Sequence, residues 1–376
     1  MHPTSTLDVV VGGQYGSESK GRVTLDVIRK RLGQGHVVFS VRVAGPNAGH
    51  VVIDPAGRRW AMRQLPVGFV EPEAVLYIGP GSEIDRDVLV SEIEAVEAAG
   101  YSVRDRLYIH PEATYLEPRH IEAEQQSDLT ERLGSTAKGI GAARADRIWR
   151  TARRVADVPA LFEDLGRLRN PAPVWNAPGW AWVIEGTQGY GLGLHAGHYP
   201  YCTSSNARAI DFCAMAGVYP WDLPDLYDSF RVWMVIRPNP IRVAGNSGAL
   251  AGETDWDALG LEAERTTVTQ KIRRVGTFDP LIVNRAIYAN GYRVVRLALA
   301  MADQVAPALA GATEPYAVAD LPADQALALR DLVERIPSSD LIRQIGTGPS
   351  THIDLPGYEL FDLLDAAVAA GAEADL

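Results

Sequence analysis

Short apolar runs separated by amphipathic stretches set the rhythm of this chain. Runs at 9–11, 37–43, 75–78, 107–109, 182–184, 231–236 and 294–299 are rich in Val, Ile and Leu and too short for helices. Several end in Gly or a polar residue, which predicts buried strands. Between them, 87–99 places Leu89, Ile93 and Val96 on one helical face and stops at Gly100, and 358–369 predicts a second helix. The alternation predicts an α/β fold with a large, mostly parallel central sheet flanked by helices, where ligands gather at the carboxyl ends of strands. No internal repeat interrupts the pattern. The Pro- and Gly-rich stretch 170–179 has the composition of a linker, yet the strand pattern resumes directly after it, so one elaborated domain over residues 1–376 is expected.

The loop after the first run changes the picture. Gly12-Gly13-Gln14-Tyr15-Gly16-Ser17-Glu18-Ser19-Lys20-Gly21 follows Val9, Val10 and Val11 directly. A strand that breaks into glycines and then presents a lysine has the layout of a phosphate cradle, because glycine lets backbone N–H groups close on an anion and lysine supplies charge. The spacing is not the usual nucleotide loop, since Ser19 precedes Lys20 and no Ser or Thr follows it. By itself the segment is either a phosphate site or an ordinary strand-turn-helix connection.

A chain of 376 residues with 47% hydrophobic content can bury a large core, and 22% charged residues fit a soluble globular protein. The net charge of −11 argues against a nucleic-acid coat, so an anionic ligand must be held locally. Arg147, Arg150, Arg153 and Arg154, or Lys271, Arg273 and Arg274, offer the charge for that; each cluster also reads as a solvated helix face. Cys202 and Cys213 lack zinc spacing and form no disulfide framework, which fits a reducing cytoplasm. The first residues lack the features of a secretion signal and no apolar run approaches membrane length, so a cytoplasmic protein without membrane or nucleic-acid partners is expected.

Four further loops are unusual in content. Gly45-Pro46-Asn47-Ala48-Gly49-His50 offers an amide, a close-approach glycine and a proton donor. Gly134-Ser135-Thr136-Ala137-Lys138-Gly139-Ile140-Gly141 combines hydroxyls, a cation and flexible backbone, which suits a phosphate. Glu185-Gly186-Thr187-Gln188-Gly189 follows a strand run, and Tyr199-Pro200-Tyr201-Cys202-Thr203-Ser204-Ser205-Asn206 is a rigid turn followed by hydroxyls. Each alone is also compatible with an ordinary turn.

Taken in order, these loops make the chain resemble the adenylosuccinate synthetase family, whose members carry loops similar to QYGSESKG, NAGH, GSTAKGIG, EGTQG, YPYCTSSN and a late basic loop similar to VTQKIRRVGTFD. The likeness runs from about Val9 to Pro349, with the stretch between Gly141 and Glu185 shorter than in typical members. It implies a fold related to P-loop NTPases and a two-step ligase reaction. The 6-oxygen of a purine monophosphate is phosphorylated by a nucleoside triphosphate, and the amine of L-aspartate then displaces that phosphate. The resemblance assigns the triphosphate to Gly16, Glu18, Ser19, Lys20, Gly21, Arg22, Gly49, His50 and Arg273, with Gly346, Thr347, Gly348 and Pro349 walling the base. It assigns the purine monophosphate to Ser17, Asn47, Ala48, Gly49, Ser135, Thr136, Gln188, Thr203 and Lys271, with Arg150 reaching across a homodimer interface. Aspartate falls to Thr267, Val268, Thr269, Gln270, Lys271 and Arg273, Arg273 being suited to a bidentate carboxylate contact. Lys271 stands where most members have Arg. The catalytic set is Ser17, Lys20, His50 and Gln188, and Mg²⁺ is expected at the Ser17 hydroxyl and the Gly49 carbonyl.

Two departures from the family pattern bear on the substrate. Ordinary members carry an Asp at the position of Ser17, which takes the N1 proton of inosine monophosphate and binds magnesium. A serine hydroxyl cannot act as that base unaided. Guanine carries a 2-amino group beside N1 that a carboxylate would crowd and a hydroxyl leaves room for, so Ser17 fits guanine. A loop like GSESKG is similar to that of the phage-type 2-aminoadenylosuccinate synthetase branch, which acts on dGMP and leads to diaminopurine DNA. Typical members also read the guanine of GTP with a Lys-x-Asp, here aligned with Ala298-Leu299-Ala300, which predicts ATP or dATP as donor unless Asp303 takes that role. Three readings remain open: a dGMP ligase, an inosinate ligase using GTP, and an inactive nucleotide-binding homologue.

Overall fold

In the computed structural model, which describes residues 3–266, 270–355 and 359–374, the apolar runs assemble into one ten-stranded sheet. Its strands are β1 (Thr6–Gly12), β2 (Val37–Arg42), β3 (Val75–Ile78), β4 (Leu107–Ile109), β5 (Arg167–Leu168), β6 (Trp180–Glu185), β7 (Phe230–Ile236), β8 (Val295–Leu299), β9 (Ile342–Gly346) and β10 (His352–Asp354). They lie in the order β10-β9-β8-β7-β1-β6-β2-β3-β4-β5. Every pairing is parallel except that of β9 with β10. Both faces are covered, which is why the strands read as unbroken apolar runs: Val9 and Val11 of β1 enter one core and Val10 enters the other.

The helices follow from local signals. Helix α1 (Lys20–Gly33) leaves the glycine loop and buries Val23, Val27 and Ile28 on the Val10 side. Helix α2 (Arg86–Ala98) starts one residue before the expected 87, because Asp85 caps it by accepting from Asp87 N and Val88 N. Its buried residues are the expected Leu89, Ile93 and Val96. Helix α3 (Ile140–Trp149) follows the GSTAKGIG turn. Helix α4 (Glu359–Ala374) runs past the expected end at 369; residue 358, its expected start, lies outside the described residues. The stretch 170–179 does not behave as a linker: Ala172 and Trp175 are buried in the core.

The order of strands places the loops. From β1 the chain builds outward through β2 to β5, returns to insert β6 beside β1, then crosses to β7 and builds outward the other way. Thus β1 stands where the sheet reverses direction, the position at which an open α/β sheet leaves a crevice. The loops after β1, β2, β6, β7, β8 and β9 all leave from carboxyl ends and share that edge. Among the described residues, no helix is long and apolar enough to cross a membrane.

Candidate active site

The loop between β1 and α1 is wound in the left-handed region at Gly16 (φ 96°), Ser17 (φ 54°) and Ser19 (φ 67°). A fully buried carboxylate holds it. Glu18 Oε1 accepts from Gln14 N at 3.0 Å and from Gly16 N at 2.8 Å, while Oε2 pairs with Lys20 Nζ at 3.0 Å. Gly12 is required by this arrangement, since a Cβ there would stand 2.1 Å from Glu18 Oε2; at Gly21 it would stand 2.5 Å from Val51 O. The Glu18 side chain is therefore spent on the loop. The backbone N–H groups at the start of α1 and the Lys20 ammonium supply the positive end toward which an anion is drawn. Ser17 is exposed on this loop, and its carbonyl accepts from Arg237 Nη1 at 3.0 Å.

His50 opens a short hairpin after β2. Its Nδ1 lies 2.7 Å from Glu185 Oε2, and its Nε2 is buried without a protein partner. Glu185 ends β6 in register with Arg42 at the end of β2. Arg42 Nη1 lies 3.6 Å from Glu185 Oε1, and Arg42 Nη2 donates to Ala48 O at 2.9 Å, tying the Asn47-Ala48-Gly49 turn to the same centre. Burial alone pushes the Glu185 carboxyl up, but His50, Arg42 and Lys20 together outweigh it and hold the group below the usual carboxylate range. Sequence reasoning gave Glu185 and Arg42 no role. The signal available was a carboxylate at the last position of a buried strand, where side chains meet the ligand edge.

Gln188 turns the chain after β6 at φ 62° and packs against the loop between β1 and α1: a Cβ on Gly12 would sit 2.7 Å from Gln188 O, and one on Gly189 would sit 2.5 Å from Gly16 N. The loops at 134–141 and 199–206 meet through Arg144, whose Nη1 donates to Ser204 O at 2.9 Å while its Nε pairs with Glu83. Ser135, Thr136 and Thr203 are half-buried, with Ser135 Oγ accepting from Ala137 N and Thr203 N donating to Leu192 O. The turn into α3 already holds an anion of its own. Glu124 accepts from Gly139 N and Gly141 N, each at 2.7 Å, and from Ala142 N at 3.4 Å, so the backbone at this end of the turn is occupied by a carboxylate. Arg150 caps α3 at φ 64°, exposed beside Ile148 and Trp149, themselves 71% and 75% exposed.

At the other end of the crevice, Arg22 is buried, donating through Nη1 to Asp26 and to Gln344 of β9, and its Nη2 packs against Gly346 without a partner. The Thr347 hydroxyl donates to Ala312 O at 2.6 Å and so braces the turn containing Gly348 and Pro349. Pro349 and Ser350 line a cleft with Arg22, Leu25, Asp26, Arg29 and Ile53. Ala298, Leu299 and Ala300 are buried and bring no polar side chain to this end. Asp303, half-buried beyond them, has its carboxyl pushed up by burial, opposed by its own backbone N–H and by Arg22.

The two flanks of the late basic loop pair with each other. Arg265 bridges Ile272, Thr266 N donates to Lys271 O at 2.9 Å, and Lys271 N donates to Thr266 Oγ1 at 3.0 Å. Gln270 and Lys271 are exposed and Arg273 is half-buried, whereas Thr267, Val268 and Thr269 lie outside the described residues. Among the described residues no three His, Cys, Asp or Glu side chains gather into a metal site. Ser17 and Gly49 are both exposed and offer a hydroxyl and a carbonyl, a neutral oxygen set that fits a magnesium ion whose anionic ligands are phosphates.

The adenylosuccinate synthetase family model matches residues 9–169 and 177–307. An adenylosuccinate synthetase of Methanocaldococcus jannaschii is 32% identical over 354 residues, covering 93% of this chain and 97% of its own length. One from Archaeoglobus fulgidus is 33% identical over 311 residues, covering 81% and 86%. Among solved structures, the cyanophage S-2L succinoaminodeoxyadenylate synthetase (PurZ), bound to dGMP and dATP as an energy donor, superposes with a TM-score of 0.77 at 26% identity, covering 98% of this chain and 99% of that one. The fully ligated adenylosuccinate synthetase from Plasmodium falciparum shares the fold, with a TM-score of 0.74 at 19% identity over 93% of this chain and 100% of its own.

Proposed function

The chain belongs to the adenylosuccinate synthetase family, and from that premise we propose that it joins L-aspartate to C6 of dGMP with ATP or dATP as phosphoryl donor. The observation that carries this reading is Ser17: an exposed hydroxyl stands on an otherwise complete phosphate loop where ordinary members place an aspartate. A hydroxyl admits the 2-amino group of guanine and accepts a hydrogen bond from it. The buried apolar positions 298–300, which bring no carboxylate to pair the N1 and 2-amino protons of a guanine triphosphate, support an adenine donor. The likeness to the phage enzyme, described with dGMP and dATP, supports the same pair of nucleotides.

In this reading the chain's residues divide the work. Lys20 and the N–H groups opening α1 hold the triphosphate in line with the 6-oxygen, which Gln188 orients. Glu185 fixes the His50 ring through Nδ1, which leaves Nε2 to face the transferring phosphoryl group as charge develops on it. The 6-oxygen takes the γ-phosphoryl group as the bond to the nucleoside diphosphate breaks and N1 gives its proton to solvent; the aspartate amine then attacks C6, gives up a proton to solvent, and the C6–O bond breaks with phosphate carrying away its electron pair. Arg273 holds a carboxylate of the amino acid. Magnesium, when bound, neutralises phosphate charge; Ser17 and Gly49 would hold it. A homodimer in which Arg150 meets the partner's nucleotide phosphate completes the proposal, and the exposed Ile148 and Trp149 beside it suit a covered surface.

The archaeal adenylosuccinate synthetases, at 32% and 33% identity over most of the chain, favour a second reading in which inosinate and GTP are the substrates. The deciding experiment is phosphate release with aspartate and magnesium, crossing dGMP, GMP and IMP with ATP, dATP and GTP and identifying the product by mass. The expected pair is dGMP with an adenine triphosphate. Ser17→Asp is expected to lower guanylate turnover by roughly tenfold or more and leave IMP turnover unharmed. Turnover of IMP with GTP alone establishes the second reading, and silence in every combination marks an inactive homologue.

A further inference from the structure

Three loops meet on one ion pair. Glu83 lies in a short parallel ladder, Glu83–Ile84 beside Thr114–Tyr115, and is buried there. Arg144, in the second turn of α3, closes on it as a fork: Nε donates to Glu83 Oε1 at 2.7 Å and Nη2 to Oε2 at 3.2 Å. The remaining nitrogen, Nη1, donates to Ser204 O at 2.9 Å. The 45–49 loop lies against the same place, since a Cβ on Gly45 would stand 2.3 Å from Ile140 Cδ1 and 3.2 Å from Glu83 Oε2.

Glu124 holds the N–H groups at the start of α3, so Arg144 projects from an anchored helix. The 203–206 segment is tied to the chain just before it: Thr203 N donates to Leu192 O at 2.8 Å, Leu194 N to Ser205 O at 3.0 Å, and His195 N to Asn206 Oδ1 at 3.0 Å. Arg144 joins the same segment to α3. A planar guanidinium holds a carboxylate through two nitrogens and a carbonyl through the third at once, whereas a lysine ammonium is a point charge without that fixed fork. Removing the guanidinium alone would leave the Glu83 carboxylate buried without its cation.

We propose that Arg144 and Glu83 form a positioning pair that sets the spacing of the 45–49, 134–141 and 203–206 loops and thereby the affinity for the purine monophosphate. The inference rests on the proposed function, which places that nucleotide on Asn47, Ser135, Thr136 and Thr203 of these loops, and the test separates the two. The pair acts through the loops it joins. Its effect falls on the monophosphate, while the affinity for the triphosphate, set by the Lys20 loop, stays.

The experiment measures, on the full chain with magnesium, equilibrium binding of dGMP, GMP and IMP and of the β,γ-imido triphosphates of adenosine and guanosine, together with steady-state kinetics. The proteins are the wild type, Arg144→Lys, and the double variant Glu83→Leu with Arg144→Met, which removes both charges, keeps apolar volume and leaves neither ion buried alone. Arg144→Lys is expected to raise Kd and KM for the purine monophosphate roughly tenfold, with kcat and the affinity for the triphosphate analogue within about twofold. The double variant is expected to show the same split with a thermal midpoint close to that of the wild type. Monophosphate affinity unchanged in both variants overturns the pair and leaves the ligase reading standing. Losses that fall equally on the monophosphate and the triphosphate analogue mark a structural brace and overturn the positioning role. A wild type that binds a purine monophosphate without aspartate-dependent turnover, with the split intact in the variants, leaves the pair standing and removes the ligase reading instead, and a wild type that binds no purine monophosphate overturns both.

Discussion

Glu18 and Glu185 are both buried acids, and their different tasks come from what surrounds each. Glu18 is closed in by two N–H groups and Lys20 and serves the shape of the loop. Glu185 is aimed at a histidine whose other nitrogen is buried without a protein partner, and the proposed reaction uses that nitrogen. Glu185→Gln is expected to lower kcat by about a hundredfold with little change in KM for the nucleotides, read from steady-state kinetics. The same carboxyl makes an acid-sensitive contribution to folding. Its pKa is depressed in the native state, so the stabilisation is complete above the ordinary value of 4.5 and is lost as pH falls through the lower native value. Thermal unfolding from pH 7 down to pH 3 should show Glu185→Gln losing less stability than the wild type. At this scale the loops that carry Lys20, His50 and Gln188 were legible in the sequence. The contacts of Arg42 and Arg237 were not, because an arginine at or just after the end of a strand looks the same whether it faces solvent or a partner.

The elements divide in a similar way. Strands β1, β2, β3, β4, β6, β7 and β8 fall on the apolar runs, longer than the run at β1, β6 and β7 and trimmed where Val43 leaves the sheet and Val294 belongs to a short turn before β8. β5 has only two residues, and β9 is interrupted by Arg343 and Gln344, whose buried amide serves Arg22 and so breaks the apolar pattern. Helix α3 starts on a glycine turn with no side-chain cap in its own sequence. The missing cap is Glu124, from the helix Pro118–Gln125, which satisfies three N–H groups there. Glu124→Gln is expected to cost about 1–3 kcal/mol in urea unfolding, because a charge-assisted set of hydrogen bonds at a helix N-terminus becomes a partial one. The turn's glycines were read as phosphate-seeking; the backbone was in part already occupied by an acid distant in sequence.

For the whole molecule, the reversal of strand order at β1 gathers loops separated by hundreds of residues onto one edge. A proposed dimer would add Arg150 from a second copy, and it can be tested by mixing. Lys20→Ala and Arg150→Ala variants, each inactive alone, are expected to regain about a quarter of wild-type activity when refolded or co-expressed together, since half the dimers are hybrid and each hybrid holds one intact site. No recovery, or a monomer by sedimentation, would place Arg150 outside the site. What the sequence alone determined was local: strand positions, from runs that must be dry on both faces, and the glycine loop after β1, whose glycines answer to close backbone contact. The tertiary structure alone decided the pairings. His50 meets Glu185 across 135 positions, and Arg237 meets Ser17 across 220. Such contacts are fixed by which strands lie side by side, and local hydrophobic periodicity specifies that a strand is buried without specifying its neighbour.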